Sequence, residues 1–242
     1  MEENSIKRPQ KFFYICSYGG CGSKMLTEAL AKYGNSFHVH SRYPPLELEY
    51  VNKKTEFFNG IKVPINEIEN FYVIYLYRNP VNAIKSLLRR FESTFDTHLK
   101  HIETDPLITI NQIINKRMDL IGLENFYDNY TGTNTARNYN IYCVKYEEIF
   151  DKQDILSGLL SIGKLNLEKC ENYYEPPSNG FVDILMSIYN NLIVKMEKNS
   201  FIFINEIEKS RHFKKTKRVN KKSKVGFINA LTKCKSVIYL LK

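Results

Sequence analysis

The residues best suited by type and spacing to do chemistry are concentrated in Ser17-Tyr18-Gly19-Gly20-Cys21-Gly22-Ser23-Lys24-Met25. Three glycines within four positions let successive backbone N–H groups converge without Cβ obstruction. A helix starting just beyond them directs its positive end into the same hollow, where an anion is stabilised. The hydroxyls of Ser17 and Ser23 and the ammonium of Lys24 add further donors. A second set is Arg78, at the end of an apolar run, with Ser86 about two helical turns further on. A third is His38 and His40, which point the same way if their segment is extended, so that either could take a proton as general base. The plain alternative for the glycine loop is a tight turn between strand and helix. An ATP- or GTP-binding loop of the G-x-x-x-x-G-K-[ST] kind is disfavoured, because Met25 follows Lys24 where the magnesium-binding hydroxyl would stand.

The elements that must position these residues are visible as changes in periodicity. Phe12 to Cys16 is an apolar, aromatic run that reads as a buried strand, and Leu26, Ala29, Leu30 and Tyr33 mark one face of a helix that Gly34-Asn35 should end. Phe37 to Ser41 alternates and predicts a second strand, stopped by Pro44-Pro45. Residues 46 to 69 are weakly patterned, with a helical turn allowed over Glu47 to Val51 and a turn at Asn59-Gly60. Phe71 to Tyr77 is the strongest strand, continuous in the manner of a parallel strand buried on both faces. Pro80 then opens a helix with the stripe Ala83, Ile84, Leu87, Leu88 and Phe91. Residues 92 to 106 read as an exposed polar excursion, in which His98 and His101 are expected in solvent, with reach to an acceptor as the alternative. Leu107 to Ile121 has helical spacing, Tyr139 to Tyr146 reads as a strand, and Ile155 to Ile162 and Ile184 to Met196 read as helices. Phe201 to Ile204 is an expected edge strand. The predicted fold is α/β, three-layer α/β/α, with a central parallel sheet in a single domain over 1–242.

With the two strand–loop–helix units on the page, a resemblance becomes specific. Arg78-Asn79-Pro80-Val81-Asn82-Ala83-Ile84-Lys85-Ser86 resembles the R-[ND]-P-x-x-x-x-x-S element of the sulfotransferases that use 3′-phosphoadenosine 5′-phosphosulfate (PAPS). Ser17 to Met25 lies without gaps on that family's T-Y-P-K-S-G-T-T-W loop, and Tyr142-Cys143-Val144-Lys145-Tyr146-Glu147-Glu148-Ile149 is similar to its v-x-Y-E-[DE]-L strand end. The resemblance implies a P-loop-like nucleotide-binding core. It implies that Arg78 and Ser86 hold the 3′-phosphate, and that Ser17, Gly19, Gly20, Cys21, Gly22, Ser23, Lys24 and Met25 hold the 5′-phosphosulfate. It further implies transfer of a sulfuryl group from PAPS to a hydroxyl or amine, on a small molecule or a glycan. His40-Ser41-Arg42-Tyr43-Pro44 loosely resembles the family's K-T-H-L-P segment, which makes His40 the expected base; His38 remains the alternative, and Glu47 or Glu49 comes next. The family's catalytic lysine falls on Gly20, and Lys24 is the cation nearby. Its closing R-x-G-x-x-G element is not recognisable. Competing readings are a nucleotide-binding protein of this fold that has lost catalysis, and a small-molecule kinase.

Composition sets the outer bounds. The 242 residues, 43% hydrophobic and 25% charged, suffice for one sizeable α/β core. The excess of 35 basic over 26 acidic residues is largely local, in Lys214, Lys215, Lys217, Arg218, Lys221, Lys222 and Lys224. That places a basic mobile segment over 210–226, before an expected helix over 227–242; an N-terminal tail is expected over 1–11. The basic segment closes over the nucleotide phosphates or is a solvated, nucleic-acid-attracting tail; no specific nucleic-acid partner is expected. Five irregularly spaced cysteines give neither a zinc motif nor a disulfide framework, and no metal cofactor is expected. No apolar run has the length of a membrane span, and Met1 to Pro9 lacks the core of a signal peptide, so a soluble, cytoplasmic protein is expected.

Overall fold

The computed structural model describes residues 11–45, 49–54, 59–62, 71–91, 95–132, 137, 139–169 and 179–206, all within a compact unit that ends at Glu208. The basic segment 210–226 and the helix expected over 227–242 lie outside the described residues.

The protein is α/β, with a five-stranded, mostly parallel central sheet. Its strands are β1 (Lys11–Cys16), β2 (Gly34–Val39), β5 (Phe71–Tyr77), β6 (Ile141–Lys145) and β7 (Ile202–Asn205), in the spatial order β2-β1-β5-β6-β7. The first four run parallel. A separate antiparallel pair, β3 (Glu49–Lys54) and β4 (Asn59–Lys62), lies between β2 and β5 in the chain. With that pair set aside, the strand order is the 2-1-3-4-5 of doubly wound sheets, and its switch point falls between β1 and β5. The loops leaving the C-terminal ends of those two strands are the glycine loop and Arg78-Asn79.

Burial follows the apolar pattern. Phe13, Ile15 and Cys16 of β1, and every residue of β5 from Val73 to Tyr77, are fully buried. The helix α1 (Ser23–Leu30) buries Leu26 and Leu30 and contacts β1 and β2. In α2 (Pro80–Phe91) the proline occupies the first turn, where its missing N–H is no loss, and the Asn79 side-chain oxygen accepts from the N–H groups of Val81 and Asn82.

Several boundaries depart from the sequence reading. Gly34-Asn35 does not cap the first helix but begins β2. A Cβ at Gly34 would strike the Lys11 carbonyl, so the glycine permits close strand approach. His40 consequently lies just past the end of β2. The segment over 46–69 holds β3 in place of the helical turn from Glu47, and Asn59-Gly60 begins β4.

The excursion is not exposed throughout: its described part, 95–106, carries α3 (Phe95–His101) and buries Phe95, His98, Leu99 and Ile102, while Asp96, Thr97, Lys100, Glu103 and Asp105 are exposed. The helix read over 107–121 is shorter, α4 (Ile110–Lys116), held by a capping box between Thr109 and Gln112 and ended by left-handed Arg117. Leu107 and Met118 are left exposed. Beyond Gly122 the chain forms α5 (Leu123–Thr131), whose Phe126 and Tyr130 stack on Tyr75 of β5.

After β6 come a 3-10 turn (Tyr146–Glu148), α6 (Gln153–Leu159) and α7 (Asn179–Glu197). The last strand is antiparallel, against the expectation of a uniformly parallel sheet. The cause is where α7 ends: Ile193, Met196 and Glu197 lie beside Tyr77 and Lys145, at the sheet's C-terminal edge. A link of a few residues leaves β7 to start from that edge and run back, with Val144 opposite Ile202. No helix among the described residues is long and apolar enough to cross a membrane.

Candidate functional site

The glycine loop is held open by its surroundings. Gly19, Gly20 and Gly22 have φ of 92°, 67° and 78°, a left-handed backbone that other residues adopt at a cost. The direction in which each would carry a Cβ is filled by another element: the His98 ring at Gly19, the Ala83 carbonyl at Gly20 and the Tyr146 ring at Gly22. Tyr18, fully buried, edges against Tyr75 and Phe126, and its hydroxyl donates to the Arg78 carbonyl and accepts from the Arg78 N–H at 3.1 Å. The first and second strand–loop–helix units are thereby locked together.

This locked shape leaves backbone donors over. Gly19 N–H donates to Ser17 Oγ (3.2 Å) and Leu26 N–H to the Gly22 carbonyl (3.1 Å), yet the N–H groups of Gly20, Cys21, Gly22, Ser23 and Lys24 have no protein acceptor among the described residues. They converge at the N-terminus of α1, which carries no acidic residue in its first turn. Convergent donors at a helix start form an anion cradle.

A relay of hydroxyls runs beneath the cradle. Ser17 Oγ donates to Ser23 Oγ (2.9 Å), and Ser23 Oγ lies 2.6 Å from His38 Nε2. Both serines are buried. The cavity above, about 180 Å³, is lined by the loop, Lys24, Leu87 and Thr97, and by four imidazoles: His38, His40, His98 and His101. The His40 ring centroid is 4.4 Å from that of His38, 5.4 Å from that of His98 and 6.4 Å from that of His101. His40 Nδ1 is 2.7 Å from the Ser17 carbonyl, which can only accept. The proton is therefore on Nδ1, and Nε2 offers a lone pair. By the same argument His98 holds its proton on Nε2, 2.9 Å from the Tyr18 carbonyl.

Burial first, and then the neighbouring imidazoles, keep His38, His40 and His98 neutral. His98 is pushed down to about 4, by desolvation and then by His40. His38 is lowered by desolvation, His40 and Lys24, and His40 by desolvation and His101, partly offset by its bond to Ser17. The loop thiol is inert: Cys21 is buried, donates to the Gly19 carbonyl at 3.0 Å, and is pushed well above the usual thiol range by desolvation.

The remaining sequence-selected residues are distributed unevenly about this cavity. Arg78 donates from Nη1 to the Gly20 carbonyl (3.0 Å), and its guanidinium lies 4.5 Å from the centre of the Tyr146 ring. Its Nε is buried without a partner among the described residues, and Arg78 does not line the cavity. Ser86 is buried on α2 and does not line the cavity; Leu87 does. Met25 packs on the core, also off the cavity. Lys24 stands at the mouth, its side chain 75% exposed and Nζ 3.9 Å from Glu28. His38 and His40 are brought together as their alternation implied. His98 was expected in solvent and is instead packed on Gly19, a placement signalled only by the apolar spacing of Phe95, Leu99 and Ile102 around it. Among the described residues no group of three or more His, Cys, Asp or Glu side chains could hold a metal ion.

Comparison of the chain with protein-family models, with curated proteins and with solved structures found no match.

Proposed function

We propose that the protein binds a phosphorylated nucleotide in a P-loop-like core and transfers a sulfuryl group from PAPS to a hydroxyl or amine acceptor. The observation that carries this reading is that the N–H groups of Gly20 to Lys24 have no protein acceptor among the described residues, in a loop whose Gly19, Gly20, Gly22, Ser23 and Lys24 line a cavity together with four histidines. The guanidinium of Arg78, anchored to the Gly20 carbonyl through Nη1, does not line the cavity but supports the reading as a fixed positive charge behind the loop. The loop therefore fits one phosphate of the nucleotide, and Arg78 and Ser86, which do not line this cavity, are proposed to meet the other at the start of α2.

PAPS supplies an activated sulfuryl group with a phosphate as leaving group. The chain's own contribution is positioning and proton handling. His40 Nε2, fixed as an acceptor by the Nδ1–H bond to Ser17, takes the proton of the acceptor hydroxyl. The loop N–H groups and the α1 N-terminus stabilise the negative charge that develops on the departing side. Lys24, in the first turn of α1, is the mobile cation at the mouth.

The test is direct binding of 3′,5′-ADP, compared with ATP and magnesium, followed by a transfer assay with PAPS and a panel of phenols, amines and glycans. Saturable binding of 3′,5′-ADP in preference to ATP, with transfer, is expected; failure to bind it overturns the reading. A second reading, nucleotide binding without catalysis, is favoured by Gly20 standing at the position of the family's lysine and by the distance of the exposed Lys24 ammonium from a fixed contact. Tight binding with no transfer to any acceptor selects it.

A further inference from the structure

His40 and His98 hang from consecutive carbonyls of the loop, His40 by Nδ1–H on Ser17 (2.7 Å) and His98 by Nε2–H on Tyr18 (2.9 Å). Each ring therefore keeps one bare nitrogen, His40 Nε2 and His98 Nδ1, and neither has a hydrogen-bond partner among the described residues. These atoms are not sealed in the core. Among the described residues, the buried side-chain nitrogens and oxygens without a partner are Ser36 Oγ, the Tyr75 and Tyr77 hydroxyls and Arg78 Nε, so both bare nitrogens reach accessible surface, on residues that line the cavity. His98 is otherwise only 7% exposed, which leaves the cavity as the place where its Nδ1 finds a partner.

The neighbouring His38 does not offer the same, because its Nε2 is taken up by Ser23 Oγ at 2.6 Å. The ring centres of His40 and His98 are 5.4 Å apart, with the ring planes at 80°. With hydrogen bonds of about 2.8 Å at each end, two polar groups on neighbouring atoms of one ligand span that distance. The proposed reaction assigns His40 Nε2 to the proton of the reacting hydroxyl and leaves His98 Nδ1 for the group beside it. That group has to suit two states of the ring. Burial and then His40 keep His98 neutral, so that Nδ1 accepts, whereas an anion in the cradle raises its proton affinity, and once protonated Nδ1 donates. An ammonium only donates and an ether or carboxylate only accepts; a hydroxyl does both.

We propose that His40 and His98 together bind a vicinal diol, which is the acceptor of the proposed transfer: one hydroxyl on His40 Nε2, its neighbour on His98 Nδ1. The diol's role as acceptor rests on the sulfuryl-transfer reading; its binding does not. The reacting hydroxyl gives its proton to His40 Nε2 as its oxygen bonds to sulfur, and the bond from sulfur to the phosphate oxygen breaks with the electron pair leaving on phosphate. The second hydroxyl is held and emerges unchanged, so the product is a monosulfate. His98 is then the residue that sets specificity. Only the diol edge of the acceptor has to enter, since the cavity of about 180 Å³ also takes the reacting group.

The full chain, without nucleotide, is titrated calorimetrically near neutral pH with catechol, with phenol, which lacks the second oxygen, and with 2-methoxyphenol, whose second oxygen cannot donate. Catechol should bind about five- to tenfold more tightly than either, the factor expected for one hydrogen bond. In His98→Gln, whose amide still donates to the Tyr18 carbonyl but puts no acceptor at the Nδ1 position, catechol and phenol should bind alike; a purely structural role would weaken both and keep their ratio. With PAPS, catechol should give a monosulfate, at a kcat/KM about fivefold or more above that of phenol. No binding of catechol, equal binding of the three compounds, or a catechol preference that survives in His98→Gln would overturn the diol site, even where 3′,5′-ADP binds and phenol is sulfated. A catechol preference lost in His98→Gln, but with no transfer from PAPS, upholds the diol site and overturns the sulfuryl-transfer reading instead.

Discussion

Gly20→Ala isolates what the glycine loop depends on. At φ 67° an alanine pays for a left-handed backbone, about 1–2 kcal/mol. Its methyl would also overlap the Ala83 carbonyl, a backbone atom of α2 that cannot rotate away, and relieving such overlap adds about 1–3 kcal/mol. The expected destabilisation is about 2–5 kcal/mol. For a chain of this length that lowers the melting temperature by roughly 5–15 °C, measured by circular dichroism and checked by urea unfolding. Gly158→Ala is the internal control: nothing lies within 4 Å of its added methyl and it sits inside α6, so the change should stabilise by about 0.5–1 kcal/mol. If Gly20→Ala melts with the wild type while Gly158→Ala behaves as expected, the loop is not backed rigidly against α2 and the account of its open N–H groups fails. The same geometry bears on Gly20→Lys: a lysine there meets the same Ala83 carbonyl, so it is not accommodated without a shift of α2.

Other consequences concern protons and phosphate. Because folding lowers His98 from 6.5 to about 4, the unfolded chain binds more protons between those values, and stability should fall as pH drops from 6.5 toward 4. Urea midpoints across that window should show His98→Gln, which can still donate to the Tyr18 carbonyl, losing part of the slope. His40→Asn, able to keep the bond to Ser17 but without a base, should lower the sulfuryl-transfer rate by about 10²-fold or more with little change in nucleotide affinity. Arg78→Lys, which loses the guanidinium held on the Gly20 carbonyl and over the Tyr146 ring, should under the proposed function weaken 3′,5′-ADP binding about tenfold by calorimetry.

The central strands were legible because their signal is local. Phe71 to Tyr77 is strand from end to end in both sequence and structure, and Pro80 opens α2 where its lack of an N–H allows. What was lost depended on distant partners. Gly34 reads as a helix stop, but its role is to let β2 approach the Lys11 carbonyl, which lies on another strand. The stripe from Leu107 to Ile121 looks continuous, yet left-handed Arg117 breaks it and only Ile113 of α4 is buried. The direction of β7 is set by where α7 ends. His98 is the functional counterpart of these cases: among polar neighbours it reads as solvent-exposed, and only the docking of α3 on the loop brings it to Gly19.

The same docking bears on how charge could be balanced in the cavity. An anion held by the N–H groups of Gly20 to Lys24 would bring negative charge beside His38, His40 and His98, rings kept neutral by desolvation and by one another. Such an anion opposes both causes, so it raises their proton affinity, and binding of the anion and of protons must then reinforce each other. The positive charge that a lysine at Gly20 would have supplied permanently can therefore arrive on imidazole only when the anion is present. His40 and His98 can each carry it, because each already commits one ring N–H to a loop carbonyl and any added proton must go to the other nitrogen, Nε2 of His40 or Nδ1 of His98. On this reasoning a loop without a fixed cation and the neutral histidines beside it work as one unit in the proposed anion site. Calorimetry of 3′,5′-ADP in buffers of differing ionisation heat should register proton uptake on binding, and His98→Gln should reduce it; a heat independent of buffer would separate the two features.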